Sequence, residues 1–134
     1  MIAVDTSVWL DYLRVASTPQ AKWLGQELRS GRNIAITDIV YMELLQGVRR
    51  DRKTQALRRT LLQCTILGVR GLADFDVAAR IYRHVRRNGH TPRSSADCLI
   101  AAVCIREDVP LLHDDADFDR IAQASALTVP ALRS

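Results

Sequence analysis

Four carboxylates draw attention by where they fall in the chain: Asp5, Glu43, Asp97 and Asp115. Asp5 ends MIAV, a short apolar run of β-type residues, and Asp114, Asp115 and Asp117 follow VPLLH, a second such run. In an open parallel α/β sheet, ligands bind beyond the carboxyl ends of strands, so both positions are places where acids can do chemistry. Glu43 falls among Ile36, Ile39, Val40 and Leu44, whose helical spacing puts it on the buried side of its helix. A buried carboxylate costs several kcal/mol unless it is protonated, paired with an arginine or bound to a cation. Asp97 follows Ser94 by three residues at the head of an apolar helix, where it either favours the helix N-terminus or belongs to a site. Asp5 has a similar second reading, as the cap of a helix beginning near Ser7. As a set, these acids would repel one another strongly, and a hard divalent cation with a preference for oxygen relieves that repulsion. Phosphodiester hydrolysis fits an acidic metal site set in a basic chain.

The chain is basic overall, with a formal net charge of +4 and an isoelectric point near 9.3. Arg49, Arg50, Arg52, Lys53, Arg58 and Arg59 form one cluster, and Arg80, Arg83, Arg86, Arg87 and Arg93 form another. These either attract a polyanion or simply solvate helix faces. Arg93, close before Asp97, is either a phosphate contact or an ordinary surface arginine. His113, at a strand end, is expected to pack rather than to act as a base.

Alternating patterns must position these residues. Strands are expected near residues 1–5, 33–36, 64–67 and 109–113, with a last strand at LTVP, residues 127–130. Helices are expected near 8–13, 19–29, 37–47, 51–63, 74–88 (ended by Gly89), from Ser94 or Ser95 through CLIAAVCI, and 117–124. Strands alternating with helices imply an α/β fold with a central, mostly parallel sheet flanked by helices. The 134 residues, 48% hydrophobic, are expected to form one domain over 1–134. Cys64, Cys98 and Cys104 lack zinc-site spacing and read as reduced, buried thiols of a cytoplasmic protein. No apolar stretch approaches membrane-spanning length, no secretory signal is apparent, and the mature chain is expected to start near Met1.

Four segments, MIAVDTSVWLDYL, DIVYMELLQG, RSSADCLIAA and LLHDDADFDRIA, resemble in order and spacing the PIN domain, and within it the VapC-type toxins of toxin–antitoxin pairs. The resemblance implies a PIN-like three-layer sandwich. It implies an endoribonuclease dependent on Mg2+ or Mn2+, with Asp5, Glu43, Asp97 and Asp115 as the catalytic quartet and Asp117 as a fifth acid at the metal. Thr6 and Ser7 look like the small polar residues that support the first aspartate. Asp114 departs from the family pattern, sharing the metal or facing solvent, and DxDF aligns Asp115 with the fourth acid. Either Asp97 or Asp115 serves as general base. The implied partners are an RNA substrate and a cognate antitoxin that covers the site, with no membrane. A homodimer is also implied, for which Trp9, Trp23 and Leu24 are candidate contacts, core packing being the other reading. The competing functions are a non-catalytic RNA-binding module and a phosphatase using an acidic metal site.

Overall fold

The computed structural model describes residues 1–31 and 33–132. Four short apolar runs form β1 (Ile2–Val4), β2 (Ile34–Thr37), β3 (Thr65–Leu67) and β4 (Leu111–Leu112). They pair in the order β3-β2-β1-β4, and every pairing is parallel. A parallel sheet must be covered on both faces. Ala3, Val4 and all of β2 are accordingly buried.

The covering layers are seven helices among the described residues: α1 (Thr6–Leu13), α2 (Pro19–Ser30), α3 (Asp38–Gln46), α4 (Asp51–Leu61), α5 (Gly71–Arg87), α6 (Ser95–Arg106) and α7 (Ala116–Gln123). The result is the expected three-layer α/β sandwich. Helix α1 packs on α2 and α3, while α5, α6 and α7 pack on one another. The apolar surround of α6 makes it the buried helix, with Cys98, Ile100, Ala101, Ala102, Val103 and Cys104 all in the core.

Local chemistry fixes the helix ends. The side chains of Thr18, Thr37 and Ser94 accept from Ala21 N, Val40 N and Ala96 N, capping α2, α3 and α6. Gly89, at φ 90°, follows the end of α5 in a conformation that glycine adopts at low cost.

One expectation is corrected, and for Trp9, Trp23 and Leu24 the structure takes the core-packing reading over the dimer contact. LTVP is not a strand: the Leu111 amide donates to Thr128 O, and one such bond on the far side of β4 does not make a ladder. Trp9 and Leu24 are fully buried, so they offer no surface for a second subunit, and Trp23 packs partly buried against the same core.

One polar network crosses the helical layer. Buried Asp74 accepts from Arg106 Nε at 3.0 Å and from the Arg70 amide at 2.7 Å, and Arg106 also donates to Gly68 O at 2.6 Å. Burial pushes the Asp74 carboxyl up, but Arg106 and the Arg70 amide outweigh it and hold the group below its ordinary value. Its stabilisation is therefore present above the unfolded-state value of about 4 and is lost as pH falls through the lower folded value. Asp74→Asn is expected to cost about 1–3 kcal/mol at neutral pH and to flatten the acid limb of stability, read by urea unfolding from pH 7 down to pH 2.

A candidate metal-binding active site

The strand order places β2 and β3 on one side of β1 and β4 on the other. The chain thus reverses direction across the sheet between β1 and β4, and a crevice forms at such a switch point. The Asp5 amide donates to Leu112 O at 2.9 Å, which sets the ends of those two strands side by side. Asp5 lies just past β1, and Asp115 lies past β4. Glu43 enters from α3 and Asp97 from the first turn of α6.

Each acid is held by its own local structure. Asp5 caps α1, its Oδ2 accepting from Ser7 N at 3.0 Å and from Ser7 Oγ at 2.7 Å. Thr6 Oγ1 donates to Glu43 Oε1 at 2.9 Å, so consecutive residues of one helix orient two of the acids. Glu43 is half-buried rather than fully buried, and no arginine pairs with it among the described residues. Asp115 caps α7, its Oδ1 accepting from Asp117 N at 2.9 Å. Each of these three is oriented chiefly through one oxygen, which leaves lone pairs for an ion. Asp97 carries no hydrogen bond among the described residues, because Ser94 is the cap of α6.

The electrostatics record how closely the acids gather. Burial first, and then the charges of Asp5, Asp115, Glu43 and Asp117, push the Asp97 carboxyl up to about 7. Asp5 is also raised, by burial and despite its bonds to Ser7. Glu43 is raised by burial and by Asp5, with Thr6 opposing. The nearby thiols of Cys98 and Cys104 are pushed by burial to about 11 and about 12, so they stay protonated and the donor set is oxygen alone. In this conformation no three acids, histidines or cysteines among the described residues enclose an ion. The oxygen donors that these acids offer are of the kind a hard divalent cation prefers.

The remaining predicted residues fall around this centre. Asp117 is buried and engaged: its Oδ2 accepts from Arg93 N at 3.2 Å and from Arg93 Nε at 3.0 Å, and its Oδ1 lies 3.4 Å from an Arg120 guanidinium nitrogen. Burial pushes that carboxyl up, yet Arg93 and Arg120 leave it below its ordinary value. Arg93 also reaches Asp115 Oδ1 at 2.6 Å. His113 packs as expected, its ring centroid 5.4 Å from that of Phe118 and its Nδ1 accepting from the Asp115 amide at 3.2 Å.

Sequence reasoning passed over Asp11. The neighbouring carboxyl of exposed Asp114, and then burial, raise Asp11 above its ordinary value. The Asp114 amide in turn donates to Ser7 Oγ at 3.0 Å, fastening the loop after β4 to α1. The one signal available was that Asp11 follows Ser7 by a single helical turn.

The family model described as the PIN domain matches residues 2–124. This chain belongs to the PIN-domain family. Over 137 aligned residues, the PIN domain described above is 39% identical to Ribonuclease VapC11 of Mycobacterium tuberculosis, an alignment covering 99% of this chain and 100% of that relative. The same figures hold for VapC ribonuclease Mb1587 of Mycobacterium bovis. Among solved structures, VapBC2 from Rickettsia felis superposes with a TM-score of 0.74 at 18% identity, over 97% of this chain and 98% of that one. VapBC-5 from M. tuberculosis does so with a TM-score of 0.68 at 20% identity, over 96% and 95%. At such identities the likeness is one of fold.

The high Asp97 value has a measurable consequence in this PIN domain. Without metal, the folded state holds a proton that the unfolded chain releases near pH 4, so stability drains away as pH rises from about 4 to about 7. With EDTA present, Asp97→Asn is expected to melt above wild type at pH 8, with a gap that shrinks as pH falls towards 5. A gap independent of pH would show that Asp97 does not titrate in this range.

Proposed function

We propose that this chain is a single PIN-like nuclease domain over residues 1–134 that cleaves RNA with Mg2+ or Mn2+ and serves as the toxin of a toxin–antitoxin pair. The observation that carries this reading is the gathering of five acids at one sheet edge, three of which, Asp5, Glu43 and Asp97, have no cationic partner among the described residues. Identity of 39% over nearly the whole chain to relatives named VapC ribonucleases supports RNA as the substrate.

Asp5, Glu43, Asp97 and Asp115 would hold the ion, with Asp117 beside them. When bound, the ion supplies neutralising charge at the scissile phosphate and a more acidic water. Asp97 is the better placed general base, because its carboxyl carries no hydrogen bond among the described residues, whereas Asp115 accepts from Arg93 and from the Asp117 amide. Thr6 and Ser7 hold Glu43 and Asp5 in orientation. Arg83, Arg86 and Arg87 on α5, and the basic run through Arg49, Arg50, Arg52 and Lys53 before and into α4, are exposed and draw the RNA backbone towards the acids.

Superposable structures include one described as a member of the VapBC family of toxin–antitoxin systems, and by that likeness we assign this chain an antitoxin partner. We retain the homodimer as a proposal, with its contact elsewhere than Trp9 and Leu24. No helix among the described residues is long and apolar enough to cross a membrane.

Incubation with a cellular RNA pool tests the reading. Cleavage is expected with Mg2+ or Mn2+, none with EDTA, and a loss on the order of 10²–10⁴-fold in Asp97→Asn. Unchanged RNA binding by that variant, with no cleavage by a folded, metal-binding wild type, would favour a non-catalytic binding module.

A further inference from the structure

Arg93 holds two of the five acids in unequal ways. Its contact with Asp117 is double, through the backbone amide at 3.2 Å and Nε at 3.0 Å, to a carboxylate only 4% exposed. Its contact with Asp115 is single, through a terminal nitrogen at 2.6 Å, to a carboxylate 22% exposed. The arginine side chain is itself 73% exposed. One anchor is therefore fixed by the backbone of the loop entering α6, and the other lies at the open side of the site.

We propose that Arg93 is the resident counter-ion of the metal-free site: a divalent ion displaces it from Asp115, while its anchor on Asp117 keeps the freed end beside the ion, where it meets an RNA phosphate. This rests on the metal-dependent nuclease reading. The charge balance supports it, because an arriving dication and the guanidinium compete for the same Asp115 carboxylate, and release of one end leaves the Asp117 bonds intact. Arg120 has no such role, since it reaches Asp117 alone. Asp117 then acts on the chemistry as a positioning residue through Arg93, whatever share of the ion it also takes.

Mn2+ binding to the full chain, followed by calorimetry and by the paramagnetic signal of free Mn2+, tests the exchange without relying on turnover. Arg93→Gln is expected to bind Mn2+ roughly two- to five-fold more tightly than wild type, as an exposed competing ion pair allows, and to raise KM for RNA more than it lowers kcat. Arg120→Gln removes the same charge but should leave Mn2+ affinity within about two-fold, which separates the specific contact from general electrostatics. In wild type, Mg2+ titration should move the Arg93 side-chain Nε resonance, a readout that does not depend on any variant folding. Equal or weaker Mn2+ binding by folded Arg93→Gln, an equal gain in Arg120→Gln, or an unmoved Arg93 resonance at saturating Mg2+ would overturn the exchange. Metal binding with these signatures but no RNA cleavage would remove the nuclease reading and leave the exchange standing. Absence of metal binding in every form would remove both.

Discussion

Mutual repulsion among carboxylates is the constraint on which the rest of this structure depends. Asp5, Glu43, Asp97, Asp115 and Asp117 arrive from four separate parts of the chain at the carboxyl edge of one small sheet, where burial first and then the charges of the other four raise Asp97 to about 7. Such a concentration of like charge is tolerated because the scaffold under it is rigid and apolar. Strand β2 is wholly buried and α6 carries six core residues, so the acids sit on elements that do not splay apart.

The scaffold spends few groups on neutralising that charge. Asp74 is matched by Arg106 and Asp117 by Arg93 and Arg120, so arginines are available where the fold uses them. Asp5 and Glu43 receive only Ser7 and Thr6 hydroxyls and an amide. Hydroxyl and amide donors orient a carboxylate without cancelling it, whereas an arginine does both. The distinction separates acids neutralised within the fold from acids without a cationic partner among the described residues, and Asp115, bonded to an amide and touched by Arg93, stands between the two.

The same residues often serve folding and the site together. Asp5 and Asp115 are the N-caps of α1 and α7, so the two readings weighed for Asp5 from sequence were not exclusive. At Asp97 the readings did separate, because Ser94 takes the cap and leaves Asp97 unbonded. The second basic cluster also divides: Arg83, Arg86 and Arg87 are exposed on α5, while Arg93, exposed as well, reaches Asp115 and Asp117.

Local physics made much of this legible in the chain itself. Helical and strand periods gave all four strands and all seven helices among the described residues, with ends shifted by a few residues. Hydroxyl caps, Gly89 and the apolar surround of α6 carry their meaning within a few positions of themselves. The spurious strand at LTVP shows the limit, since an apolar β-type run becomes a strand only where it ladders with a neighbour, and LTVP meets β4 through the bond from the Leu111 amide to Thr128 O without forming a ladder. The acids at strand ends were likewise visible as types and spacings. Partner choice was decided only by the tertiary structure: that Asp11 meets Asp114 across two elements, that Trp9 and Leu24 point inward, and that Arg93 bridges Asp115 and Asp117. Those contacts depend on the strand order β3-β2-β1-β4, which brings residues a hundred positions apart to one edge. The energy of a charge depends on what stands within a few ångströms of it, and only the folded chain sets that distance.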